Sequence, residues 1–336
     1  VFTMLSKASA YRSKYLPKAF TSSDKPKTAV VVGSTSGIGQ GIAHRLAEQG
    51  WNVVAVGRHR EGRAAAVVKT LEEYTDAIAK GKEEGNVVKP QHSFVPCDCF
   101  SLKSVQEAAK SILEKHDTID ALVLTQGMAT TQGFTPTVDG NDEKLTLHYF
   151  SRMAFACLLL PALSKSEMAK GPVILSILSG GVHSPYKNFE TDFSLKENYS
   201  VSNAANAAGF YNDLGLDALA RSNPNMNFMH AAPGFVNTNW GTEFNPILRA
   251  MVRCMQPLGR SPADCAEFMA GPTIFASANG DDLAPKYEDV GIICFGGTAG
   301  KAEPSTVSKG HTPEARDFVW KQTIEILKKA GLDVSE

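Results

Sequence analysis

Val30-Val31-Val32-Gly33-Ser34-Thr35-Ser36-Gly37-Ile38-Gly39 is the stretch that decides the fold. An apolar, β-branched run ends on spaced glycines, and Ile42, Ala43, Leu46 and Ala47 then recur at helical spacing. A strand, a tight turn and an amphipathic helix in that order form a phosphate-binding unit. Glycine removes the Cβ that would block the turn and the approach of a pyrophosphate. The helix N-terminus adds unpaired N–H groups and a partial positive charge. Gly33, Ser34, Ser36, Gly37, Ile38 and Gly39 are therefore the expected pyrophosphate contacts.

Working outward, short apolar runs alternate with helical patterns along the rest of the chain. Strands are expected at Thr28–Val32, Asn52–Val56, His92–Val95, Asp120–Leu124, Val173–Leu178, Met226–Ala231 and Gly291–Phe295. Several are continuously apolar, as strands covered on both faces must be. The intervening helices include one through Leu147, Phe150, Ala154 and Leu158, one beginning near Tyr199, and one opened by Pro262. The pattern predicts an α/β protein: a Rossmann-type, doubly wound, seven-stranded parallel sheet in a single domain over residues 28–330.

The G-x-x-x-G-x-G spacing resembles the fingerprint of the short-chain dehydrogenase/reductase family, with Val32 where that family usually has Thr. The second strand ends in Val56-Gly57-Arg58-His59-Arg60. An acid there would accept from a ribose 2′-OH, whereas Arg58, helped by Arg60, suits a 2′-phosphate. The expected cofactor is thus NADP(H) in preference to NAD(H). The resemblance further places Asp98, in Val95-Pro96-Cys97-Asp98-Cys99, near the adenine. It also places Gly127, in Leu124-Thr125-Gln126-Gly127, where the family carries N-N-A-G. Ala232-Pro233-Gly234-Phe235-Val236-Asn237-Thr238 resembles the family's P-G-x-V-x-T, which implies nicotinamide contacts from Pro233, Gly234, Val236 and Thr238.

The catalytic set that the resemblance implies is altered. Val173-Ile174-Leu175-Ser176-Ile177-Leu178-Ser179-Gly180-Gly181 resembles the strand bearing the family serine, at Ser179. Tyr199-Ser200-Val201-Ser202-Asn203-Ala204-Ala205-Asn206 resembles the Y-x-x-S-K-x-A-N of the retinol-dehydrogenase-like branch, with Asn203 in place of Lys. None of the eight tyrosines is followed by Lys four residues on. Counting back from Pro161 puts His148 at the family's Asn. Without the Lys, Tyr199 should stay protonated at neutral pH, fit to donate a proton to a carbonyl and poor as a base. Ser179 would bond the same oxygen, Asn203 the cofactor ribose, and His148 would return the proton through water. Two functions follow: an NADP(H)-dependent carbonyl reductase, and a non-catalytic NADP(H)-binding subunit or sensor acting through protein partners.

The remaining features set bounds. A net charge of −1 points to no nucleic-acid partner. Apolar runs such as Phe155 to Leu163 are half the ~20 residues a membrane span needs, so no transmembrane segment is expected. The six cysteines lack zinc or redox spacing and read as reduced thiols in an intracellular protein. Residues 1–27 carry six Lys and Arg against Asp24 alone. That basic arm fits either a surface-packed segment or, by composition, a mitochondrial targeting segment, leaving cytoplasmic and mitochondrial locations open. Residues 240–257 fall where the family keeps a substrate lid, and their Trp, Phe, Ile, Leu and Met suit a small apolar carbonyl substrate. Pairing into a homodimer through the helices near Leu145 and Tyr199, or assembly with a protein partner, is an expectation by analogy.

Overall fold

In a computed structural model the residues described are 25–79, 88–239, 241–242, 244–277, 291–296, 303–305 and 307–334. Most of the basic arm and Trp240 lie outside them. The seven expected strands are present as β1 (Thr28–Val32), β2 (Asn52–Gly57), β3 (Ser93–Pro96), β4 (Ala121–Leu124), β5 (Val173–Ile177), β6 (Asn227–Ala232) and β7 (Ile292–Gly296). They form one parallel sheet in the order β3-β2-β1-β4-β5-β6-β7. A short strand absent from the sequence reading, β8 (Glu303–Ser305), adds antiparallel to β7 at the edge. Three residues centred on a proline carry almost no periodic signal, which is why the pattern did not reveal it.

Continuous apolarity in the strands has the expected cause. Val30, Val32, Val54, Val56, Leu122, Leu124 and Ile174 join one core layer. Their neighbours Ala29, Val31, Val53, Ala55, Ala121, Val123, Val173 and Leu175 join the layer on the opposite face. Strand alternation sends successive side chains into different cores, so a polar residue at either parity would be buried.

Helices α1 (Gly37–Glu48), α2 (Arg63–Ala79) and α7 (Pro262–Ser277) pack on one side, and α3 (Leu102–Leu113), α4 (Glu143–Leu163), α5 (Val201–Ser222) and α8 (Pro313–Lys329) on the other. Helix α6 (Pro246–Met255) lies within the 240–257 segment. Local chemistry sets their starts. Asp142 accepts from the N–H groups of Lys144 and Leu145, Ser200 from Asn203, and Thr312 from Ala315 ahead of Pro313. Helix α4 is 21 residues and apolar, long enough to cross a bilayer, yet it is largely buried inside the protein against α3 and the sheet. Within it Thr146–Phe150 winds as a π-helical turn, a local widening often found at functional sites.

Candidate functional site

The strand order reverses at β1 and β4, so their carboxyl ends open the crevice where a parallel sheet binds ligands. The glycine loop leaves β1 there. Gly33 has φ +84°, and a Cβ on it would lie 2.8 Å from the Gln126 amide nitrogen in the turn after β4. A Cβ on Gly39 would lie 2.5 Å from the Gly33 carbonyl oxygen. Gly37, at φ +61°, faces Thr238 Cγ2 at 3.2 Å for the same hypothetical atom. The loop, the β4 turn and the P-G-x-V-x-T turn therefore converge. Ser36 is the N-cap of α1, but its hydroxyl caps nothing, and no acid sits in the first turn. The first-turn N–H groups of α1 thus suit an anion, and the Cβ-free cradle suits the approach of a dinucleotide. Gly39→Ala is expected to cost about 1–3 kcal/mol by overpacking and to weaken dinucleotide binding at least about tenfold, read by thermal melting and by NADPH fluorescence titration.

Beyond β2, Arg58 and Arg60 are exposed. Arg63, at the start of α2, joins them: partial burial and the charges of Arg60 and Arg58 lower its guanidinium from the ordinary value. A cleft of about 570 Å³ lies between this turn and the glycine loop, lined by Ser34, Thr35, Gln40, His44, Arg60 and Arg63 among others. Nothing in the sequence marks Arg63, because a helix-start arginine six residues beyond a strand is ordinary. At the end of β3, Asp98 turns its carboxylate to the Phe100 N–H at 3.2 Å.

His148 stands at the π-turn of α4, and its Nε2 accepts the Met128 N–H at 2.9 Å. The ring also backs Gly127, whose hypothetical Cβ would lie 3.3 Å from Nε2. Burial, followed by the charges of Arg152 and Lys144, pushes His148 down to about 3. A ring that is neutral and already accepts through Nε2 supports the Gly127–Met128 turn. Its other nitrogen would have to serve any proton relay. Asn203 donates from Nδ2 to the Asn198 carbonyl at 2.7 Å, bracing the turn before α5. That local bond employs the amide expected on the ribose.

Tyr199 and Ser179 occupy different neighbourhoods. Tyr199 precedes α5, donates to the Gln132 carbonyl at 3.3 Å and packs edge-on against Phe134. A lysine does reach it: Lys144 Nζ lies 5.1 Å over the ring. That ammonium faces the ring rather than the oxygen, and burial with the nearby Asp142 pushes Tyr199 up to about 12. Ser179 Oγ is buried without a hydrogen-bond partner among the described residues. It faces Gly209, where a Cβ would lie 2.5 Å from that oxygen. Gly209 is nine residues beyond the Ser200 cap, about 13 Å along the helix axis.

The polar support beneath these residues is dense. Arg152, one turn after His148, is fully buried. It donates to Ser176 Oγ at 2.7 Å, to the Ile177 carbonyl at 3.0 Å and to the Gln126 carbonyl. Ser176 in turn donates to Asn212 Oδ1 at 2.8 Å, and Asn212 donates to the His148 carbonyl at 2.8 Å. Helices α4 and α5 are thereby tied to the ends of β4 and β5. Helix α6 exposes Ile247, Met251 and Met255, with Leu258 beyond it. Gln256 donates back to the Thr238 carbonyl.

The profile of the short chain dehydrogenase family matches residues 27–247. Oxidoreductase AN1596 of Emericella nidulans is 31% identical over 219 residues, covering 65% of this chain and 61% of that protein. Retinol dehydrogenase 14 of Mus musculus is 27% identical over 233 residues, covering 66% and 65%. The chain spans about three-fifths of the length of the curated relatives it matches. A short chain dehydrogenase of Shigella flexneri, solved with NADP, superposes with TM-score 0.53 at 18% identity over 80% of this chain and 96% of its own.

Proposed function

The chain belongs to the short chain dehydrogenase family, and on that premise we propose that it binds NADP(H) in preference to NAD(H) and reduces a carbonyl on a small apolar substrate. The observation that carries the cofactor preference is the guanidinium cluster of Arg58, Arg60 and Arg63 beside the glycine loop. Each can form charge-assisted bonds to a 2′-phosphate, which a ribose hydroxyl would not reward. Gly33, Gly37 and Gly39 with the first turn of α1 would hold the pyrophosphate, Asp98 and Gly127 the adenosine side, and the turn from Pro233 to Thr238 the carboxamide. When bound, the reduced nicotinamide supplies the hydride.

The protein's own part is proton supply and orientation. Tyr199 keeps its proton throughout the neutral range and would exchange the long bond to Gln132 for a substrate oxygen. Such a group donates well and accepts poorly, which favours reduction over alcohol oxidation. Ser179 Oγ, buried against Gly209 with its donor unspent, would have to turn toward Tyr199 to serve as a second group for that oxygen. Apolar side chains on α6 support an apolar substrate. One observation favours the second reading, a non-catalytic NADP(H)-binding subunit: Ser179 and Tyr199 are held by separate partners, and Asn203 and His148 are committed to local bonds.

Titration with NADPH and NADH tests the first half. NADPH should bind at least about tenfold tighter, and the Arg58→Ala/Arg63→Ala double variant should lose about 10–100-fold on NADPH and little on NADH. Equal binding of the two cofactors by the wild type would defeat the preference. A carbonyl panel with NADPH, run beside Tyr199→Phe, separates the readings: turnover lost in the variant supports the reductase, and no turnover in either protein supports the binding subunit.

A further inference from the structure

Beneath Ser179 lies a closed polar ring that the reaction proposed above does not use. The Ser179 N–H donates to His230 Nε2 at 3.1 Å. His230 Nδ1 donates to Asp213 Oδ1 at 2.6 Å. Asp213 Oδ2 lies 3.2 Å from His183 Nε2, and His183 Nδ1 donates to the Ser179 carbonyl at 2.9 Å. Both polar atoms of one peptide unit's residue are thus gripped by two imidazoles that share one carboxylate. The side chains of His183, Asp213 and His230 are 2%, 0% and 0% exposed, so the ring is shut off from bulk solvent.

Proton bookkeeping around the ring fixes its charge. Because the Ser179 N–H points at His230 Nε2, that nitrogen is bare and the His230 proton is on Nδ1, facing Asp213. Because the Ser179 carbonyl can only accept, His183 carries a proton on Nδ1. A neutral His183 would then leave a bare Nε2 3.2 Å from Asp213 Oδ2, two acceptors in contact and out of hydrogen-bond alignment in a buried site. A second proton on Nε2 turns that contact into attraction. We propose that Asp213 is a positioning residue that sets the Ser179 peptide through His183 and His230, and that the ring holds His183 as a buried imidazolium against the Asp213 carboxylate.

The surrounding charges agree. Burial alone would raise Asp213, yet the two histidines hold it well below the usual carboxylate range. His183 is raised, its burial outweighed by Asp213. His230 is lowered by burial, with Arg152 and His183 adding to the effect. From β7, Cys294 offers a neutral thiol, pushed up by burial, 3.7 Å from Asp213 Oδ1. The three ligand-type atoms of His183, Asp213 and His230 lie within 4.8 Å of one another, close enough for a metal ion. The Ser179 N–H argues against one. A neutral His230 bound to metal through Nδ1 would carry its proton on Nε2 and confront that N–H donor to donor.

The proposal rests on Ser179 being the serine assigned to the substrate oxygen above, but its test needs neither cofactor nor turnover. In the full chain labelled with ¹⁵N-histidine, and with ¹⁵N-serine for the Ser179 amide, long-range ¹H–¹⁵N correlation at pH 7 should show His183 with two protonated nitrogens. His230 should show one protonated and one bare, with assignments from loss of signals in H183Q and H230Q. In D213N the new amide places N–H toward His183 Nε2, so His183 should revert to a single proton while the protein stays folded by circular dichroism. The Ser179 amide resonance should move with pH over the same range as the His183 imidazole. A bare His183 nitrogen in the wild type at pH 7, or an Asp213 substitution that leaves His183 unchanged, overturns the imidazolium. A Ser179 amide that ignores the His183 titration overturns the positioning role. One equivalent of zinc displacing protons from both rings would replace the proposal with a metal site. Weak NADPH binding with the expected spectra would fault the cofactor reading and leave this one standing.

Discussion

Replacing Arg152 by leucine is expected to destabilise the protein by about 3–5 kcal/mol, lowering the melting temperature by about 10 °C. The side chain is 1% exposed, and among the described residues its guanidinium donates to Ser176 Oγ and the carbonyls of Gln126 and Ile177 and to no carboxylate. Two effects compete. Removing a buried cation relieves a desolvation penalty, which burial already expresses by pulling Arg152 down to about 9. Leucine, however, leaves two strand-end carbonyls and a hydroxyl buried without donors, at about 1–3 kcal/mol each. Arg152 at about 9 is still cationic at pH 7, so the relief is modest and the orphaned acceptors dominate. Arg152→Lys should fall between, since one ammonium on a shorter stem reaches fewer of the three acceptors. Urea unfolding at pH 7 followed by tryptophan fluorescence measures both. A leucine variant within 1 kcal/mol of wild type would mean that those carbonyls find other partners.

What the sequence disclosed follows from the range over which each signal acts. The β1–glycine–α1 unit is local: Gly33 and Gly39 are required by contacts within the loop and with the adjoining turn, so the order of residues already encodes it. The strands read correctly because burial on both faces forces continuous apolarity, whereas β8 is too short and too near an edge to leave a pattern. Arg58 was legible from its place after β2; Arg63 was not, since only folding of the β2–α2 turn brings it beside Arg58 and Arg60. The same holds more strongly for the ring under Ser179. His183, Asp213 and His230 sit on a turn, a helix and a strand, separated by 17 to 30 residues, with no spacing that announces them. Tyr199 shows the converse. Its sequence context resembles a catalytic motif, yet helix α5 begins only at Val201 and presents Gly209, ten residues beyond Tyr199, to Ser179.

Asp213→Ala should cost about 3–5 kcal/mol, and comparison with Asp213→Asn should divide that loss between charge and shape. Alanine strands His183 without a counter-charge and His230 Nδ1 without an acceptor, and it opens a gap at a 0% exposed position. Asparagine keeps an oxygen for His230 and gives His183 Nε2 a donor, so a neutral His183 fits it and the loss should be clearly smaller. The pH dependence follows from the two directions. His183 is raised above its unfolded value near ~6.5, so its pairing contributes fully below that pH and fades as pH climbs through the folded value. Asp213 is held below its unfolded value near ~3.9, so its share is present above that pH and fades on acidification through the folded value. In folded Asp213→Asn the neutral His183 takes up no proton while the unfolded chain does below about 6.5, so the variant also weakens on acidification. The stability difference between wild type and Asp213→Asn should therefore be largest near about pH 4.5 and shrink steadily as pH rises through the folded value of wild-type His183. Chemical denaturation of both proteins from pH 4.5 to 9 reads this directly. A difference that widens with rising pH would mean the buried proton is not on His183, and the ring would then be held by neutral hydrogen bonds alone.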